Sequence, residues 1–150
     1  MTFEDRLKLF CENYRLFNKS IDWLKRSIEK LPKVIEDRIT EEQMESIEVF
    51  LGRYCRAVDI LINKVLRGLD YIELEDSSRM LDVVINAEKR GIVSDYNVLI
   101  EMKDLRNELA HEYIEERLIE KFQEVKERSF VLLDIAERLK EYIEKNGYCR

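Results

Sequence analysis

The chain has 150 residues, 45% apolar and 39% charged, with a formal net charge of −6 at neutral pH. That length suits a single domain spanning residues 1–150 with its own core, and the acidic balance argues against a general nucleic-acid coat while leaving room for a local basic stripe. Four glycines and one proline leave little loop material, no apolar run approaches the roughly 20 residues of a membrane span, and the opening "MTFEDRLKLF" carries no signal-peptide core, so a nearly all-helical, cytoplasmic protein with no membrane contact is expected.

In chain order, the first helix shows the clearest period. Phe3, Leu7, Phe10, Tyr14, Phe17, Ile21, Leu24, Ile28 and Leu31 recur at alternating gaps of four and three, a seam made to face partner helices. Thr2 with Asp5 caps its start and Pro32 stops it. Thr40 with Gln43 forms a capping box for a second long helix reaching about Asp70, with a core face of Ile47, Leu51, Tyr54, Val58, Leu61, Ile62 and Val65. A short helix from about Ser78 to Arg90 closes at Gly91, Ser94 caps a fourth helix, and a last helix runs from about Glu115 to Asn146 with Gly147 beyond it. The seam of that last helix is Leu118, Phe122, Val125, Ser129, Leu132, Ala136, Leu139 and Ile143. No strand signal competes, and the expected fold is all-α, an antiparallel bundle of four to five helices. Helices of about 30 residues span roughly 45 Å and often leave a stripe for a second copy, so a homodimer is expected.

Cys11, Cys55 and Cys149 are odd in number, far apart and in no C-x-x-C pair; they read as reduced thiols rather than a disulfide framework. With one histidine and no cysteine cluster, soft metal ligands are too few for zinc, and neither a metal nor another cofactor is expected. Charge supplied mostly by Lys, Arg and Glu at helical spacing fits a thermophilic source.

On the second helix the charges segregate by sign. Arg53, Arg56, Lys64 and Arg67 fall together within about 80° of the wheel, a positive track roughly 20 Å long that can follow phosphates of a single strand. Lys25, Arg26, Lys30 and Lys33 extend it if the first two helices are neighbours. The plain reading of such a run is a solvated face.

The fourth helix contains "LRNELAHEY", Leu105 to Tyr113, with the only histidine in the chain. Arg106 is a permanent cation that can grip a phosphate through two parallel hydrogen bonds. His111 can take a proton from a hydroxyl or give one to a leaving oxygen, Asn107 sits one turn before it on the same face, and Tyr113 offers a phenol. An arginine and a histidine suffice in principle to cleave RNA by attack of the 2′-hydroxyl on the adjacent phosphorus. On a regular helix, however, residues five apart point about 140° from each other. Either the helix bends within "NELAH" or the site is assembled from two copies of the chain. The plain alternative is a half-exposed surface histidine.

"RNELAHEY" resembles the R-x4-H-x-Y signature of the HEPN superfamily, specifically HepT-like toxins that pair with minimal nucleotidyltransferase antitoxins of the MntA type. The likeness extends to "RYCRAVDILINKVLRGLDYI" and "AEKRGIVSDYNVLIEMKDLRNELAHEYIE" and covers roughly residues 40 to 145. The resemblance implies a dimeric helical bundle whose motifs face one another across a cleft, forming a metal-independent endoribonuclease with Arg106 and His111 catalytic and Asn107 supporting. It further implies that the partner nucleotidyltransferase adenylylates Tyr113 to silence the toxin. Ala110 is smaller than the valine common before the histidine. Relatives described as substrate-binding subunits of nucleotidyltransferases carry much the same motif, so a non-catalytic binding subunit is the alternative reading, with a plain oligomerisation module behind it.

Overall fold

Reciprocal caps set two of the long helices. The Thr2 hydroxyl accepts from the Asp5 amide while the Asp5 carboxylate accepts from the Thr2 amide, satisfying two donors that the first turn leaves orphaned. Helix α1, Phe3–Glu29, follows. Thr40 and Gln43 repeat the arrangement at the start of α2, Glu41–Ile60. From α2 the chain passes through a π-helical segment, Leu61–Leu66, into α3, Arg67–Ile72, so the expected second helix is one rod with a wider turn in its middle. Helix α4, Met80–Lys89, ends at Gly91, whose φ of 78° suits a residue without a Cβ. Helix α5 is Tyr96–His111 and α6 is Glu115–Lys145. The computed structural model describes residues 1–32, 39–111 and 115–150, and among them there is no strand.

The cap of α5 differs from the expectation. The first-turn amides of α5 are met by the Asp95 carboxylate, which accepts from Asn97, and by Glu88, which accepts from the Tyr96 amide. Ser94 lies one residue too early: its successor has the longer acceptor at the N-cap position.

The apolar seams meet as the pattern requires. Phe17, Leu24, Ile47, Tyr54, Leu61 and Val65 are fully or almost fully withdrawn from solvent, as are Val125, Leu132 and Leu139 of α6. Phe3, at the frayed end of its seam, stays 46% exposed. Arg53 of α2 reaches Ser27, and Gly68 of α3 lies against Phe10, so α1 and the α2–α3 rod run antiparallel. A Cβ at Gly68 would stand 3.0 Å from the Phe10 ring, so the glycine permits this close approach. Arg128 pairs with Glu101 and Lys121 with Glu108, which makes α5 and α6 antiparallel as well. The result is an all-α bundle of four long helical rods, with short α4 packed across α3 and α5.

Two features tie the C-terminal end to the rest. Asp70, wholly buried, accepts from Arg90 at 2.6 Å; Arg90 also donates to Glu73 at 2.8 Å, and Glu73 accepts from the hydroxyls of Tyr142 and Tyr148. Burial raises the Asp70 pKa, and the bonds from Arg90 and Asn86 only partly oppose this. Burial also works against the Glu73 carboxylate, but there the hydroxyl and guanidinium donors prevail and its pKa is lowered. Next to this cluster Cys11 is joined to Cys149 by a disulfide, with Cα atoms 5.3 Å apart across a sequence separation of 138. The expectation of three reduced thiols is therefore corrected: only Cys55 is free. The physical reason is the return of the chain beyond α6. Gly147 adopts φ 70°, the Tyr148 amide donates back to the Ile143 carbonyl, and the tail is laid against the third turn of α1. Neither the separation nor the spacing of the cysteines announces that return.

Candidate functional site

Leu99, Met102, Leu105 and Leu109 bury one face of α5 and so fix its rotation. Arg106 then emerges at the edge of the helix that faces α2. Its Nε and one terminal nitrogen donate to the two carboxylate oxygens of Asp59, each at 2.8 Å, a fork-to-fork pair. Both side chains remain about a third exposed, at 30% and 33%. The Asp59 bond raises the Arg106 pKa further above its ordinary value, so the guanidinium is a fixed cation. Cys55, one turn before Asp59, sits beside them. Burial pushes its thiol up to about 11, with the Arg106 charge pulling the other way, which makes it a neutral neighbour rather than a nucleophile.

Arg106 and Cys55 border a cavity of about 330 Å³ between α2, α5 and α6, whose walls include Glu48, Gly52, Leu109, Ala110 and Leu118. One carboxylate-bound cation over an apolar floor can orient an anion, provided the anion displaces or shares Asp59. The cavity does not include His111.

His111 is the last residue of α5 and is exposed, as is Asn107 one turn earlier. Neither side chain makes a hydrogen bond among the described residues. The helix is unbroken through "NELAH", so within one copy Arg106 turns toward α2 while His111 and Asn107 look to solvent. Of the two ways to unite them, a bend before His111 is absent. Tyr113 lies outside the described residues, and so does Lys33.

The four cations of the second helix divide. Arg53 and Arg56 line one cavity against α1, Lys64 and Arg67 line a second farther along the same side. Arg53 is held by the Trp23 carbonyl and the Ser27 hydroxyl, and Arg67 donates to the Ser77 carbonyl. Arg56 and Lys64 have no ion pair among the described residues. The α2 rod is thus a wall shared by two grooves, with Arg106 on its α5 side and the basic track on its α1 side.

Sequence reasoning missed Asp59 as the partner of Arg106. It lay on the wheel beside the apolar sector, and no spacing within α2 pointed it toward Arg106. It also missed Trp23, which falls outside the seam of α1 in a separate heptad row with Leu9 and Leu16, all three about half exposed. Among the described residues no cluster of metal-ligating side chains is present. No helix among them is long and apolar enough to cross a membrane. No family model matches the chain, and no match was found among curated proteins or solved structures.

Proposed function

We propose that the chain is a metal-independent endoribonuclease of the HEPN, HepT-like type, working as a homodimer in which Arg106 of one protomer and His111 of its partner meet across the cleft. The observation that carries the reading is the motif itself on an unbroken α5. Arg106 and His111 are both accessible, yet they point apart, which leaves a symmetric pair as the arrangement that unites them. In the proposed step His111 accepts the proton of a ribose 2′-hydroxyl and the 2′-oxygen bonds to phosphorus. The bond from phosphorus to the 5′-oxygen then breaks, and that oxygen takes up a proton. Arg106 offsets the charge on the phosphorane, and the products are a 2′,3′-cyclic phosphate and a 5′-hydroxyl. Tyr113 is the residue a MntA-like minimal nucleotidyltransferase antitoxin adenylylates; a bulky anion near Arg106 opposes phosphate entry by sterics and charge. The setting is cytoplasmic. A disulfide in that compartment is a habit of hyperthermophile proteins, in keeping with helices rich in Lys and Glu.

The test is RNA cleavage by the purified protein with all divalent metal chelated. Activity is expected, and His111→Ala or Arg106→Ala should abolish it with the helical circular dichroism unchanged. Cleavage that survives His111→Ala ends the proposal.

A second reading, a non-catalytic substrate-binding subunit of a nucleotidyltransferase, is favoured by one observation: the Arg106 fork is already filled by Asp59. It predicts a tight complex with the partner transferase and no cleavage by the chain alone.

A further inference from the structure

The side of the bundle opposite Arg106 carries an unexplained concentration of positive charge. Two cavities, of about 330 and 380 Å³, lie along the groove between α1 and the α2–α3 rod. Lys19, Arg53 and Arg56 line the first, and Arg6, Lys64 and Arg67 the second, with no carboxylate in either lining. This happens in a chain with 32 acidic and 26 basic residues. Outside the groove Arg79, Arg90, Arg106, Lys121, Arg128 and Arg138 pair with carboxylates. Among the described residues none of the six groove cations does so.

Each cavity also has an exposed aromatic ring under a guanidinium. Trp23, 49% exposed, has Arg26 at 4.7 Å and Arg53 at 4.8 Å from its ring centre. Tyr71, 50% exposed, has Arg6 at 5.4 Å. A flat ring and guanidinium held together form a surface on which a nucleobase stacks, while the remaining N–H donors face its phosphates. From Arg6 to Trp23 along α1 is roughly 26 Å, the reach of about four to eight nucleotides of one strand. Beyond Arg53 the lining turns acidic at Glu42 and Glu45, which ends the track.

We infer that this groove binds a single-stranded nucleic acid, with Trp23 and Tyr71 as stacking platforms and Lys19, Arg56 and Lys64 among its phosphate contacts. The inference deepens the ribonuclease reading and rests on it only for the class of polymer; a strand can lie here whether or not the α5 motif cuts it. A second copy of the chain is the poorer occupant, because isologous pairing would set two unneutralised cation rows against each other. A duplex is also poorer, since its bases are not free to stack.

Trp23 is the only tryptophan, so its fluorescence reports on the groove directly. The probe is an oligothymidylate of about 12 nucleotides, which lacks the 2′-hydroxyl that cleavage requires, so its binding stands or falls independently of any nuclease activity. Expected are quenching of Trp23 emission at low salt and much weaker quenching by a duplex of equal length. With a fluorescein-labelled oligothymidylate followed by anisotropy, Trp23→Ala should weaken binding roughly ten- to a hundredfold. The triple variant Lys19→Gln, Arg56→Gln, Lys64→Gln replaces exposed groups without ion pairs, and should halve the slope of log affinity against log salt from about −4 to about −2. Quenching that is absent, or equal for the duplex, overturns the inference. So does an unchanged salt slope in the triple variant. A concentration-dependent shift of Trp23 emission without nucleic acid would give the groove to a second copy and overturn it too.

Discussion

Replacing Arg90 by methionine removes the only cation from the cluster at the base of α4. Asp70 is wholly buried and the Arg90 side chain is 6% exposed, so the pair has almost no solvent to fall back on. Two charge-assisted contacts are lost, at 2.6 and 2.8 Å, and a buried carboxylate is left without its counter-charge. Removing one partner of such a pair costs about 3–5 kcal/mol. The cluster is imperfect, because Asp70 Oδ2 and one Arg90 terminal nitrogen lack partners, so the lower end of that range, about 3 kcal/mol, applies. With an unfolding entropy of about 0.3 kcal/mol/K for a chain of this length, the midpoint should fall by about 10 °C in a melt followed by circular dichroism. The loss should depend on pH. The Asp70 pKa is already raised by burial, and without Arg90 it rises further above its unfolded value. A group of that kind stabilises when protonated and loses the contribution as pH rises through its folded pKa. The variant should therefore recover toward the parent as pH falls. The double variant Arg90→Met with Asp70→Leu should regain most of the stability, since apolar replacement of a buried pair is often neutral. A midpoint change below about 3 °C, or a deficit equal at pH 5 and 7, refutes the reasoning by showing that water reaches Asp70.

Closing a loop of about 140 residues is worth about 5 kcal/mol in the chain-entropy description, and Cys11→Ser should cost about 2–4 kcal/mol, because Tyr148 still anchors the tail to Glu73. Thiol titration of the denatured, unreduced protein should count one free cysteine, and a count of three would remove the disulfide. Tyr142 and Tyr148 are each pushed up to about 12, by burial first and then by their bonds to the Glu73 carboxylate. Their contribution is fully present below pH 10 and is lost as pH rises from 10 through 12, so chemical denaturation midpoints should drop across that window and drop less in Tyr142→Phe. Asp59→Asn should change stability by no more than about 1 kcal/mol, both partners being a third exposed, yet free the Arg106 fork. Inorganic phosphate should then inhibit cleavage several-fold more strongly, and unchanged inhibition would mean that phosphate does not visit Arg106.

How much of this was legible beforehand varies by element. The seams of α1, α2 and α6 were readable because a 3.6-residue period allows only one face to be apolar, and Phe17, Tyr54 and Val125 are buried as that period requires. The Thr2 N-cap and the Thr40 capping box were readable because capping is local chemistry over four residues. The divergence of Arg106 and His111 was likewise fixed by helix geometry alone once α5 stayed regular.

What the sequence could not determine are the meetings between residues distant along it. Asp59 fills the Arg106 fork from 47 residues away, Cys149 closes on Cys11 from 138, and Arg90 reaches Asp70 from 20, with α4 between them. None has a local signature, because a carboxylate or thiol on a helix has the same neighbours in sequence whether or not a partner arrives in space. The basic track shows the division most clearly. The sequence placed Arg53, Arg56, Lys64 and Arg67 on one sector of a helix, but only the antiparallel packing of α1 against that sector brought Trp23, Lys19 and Arg6 to them. Packing thereby turned a charged face into a groove with aromatic walls.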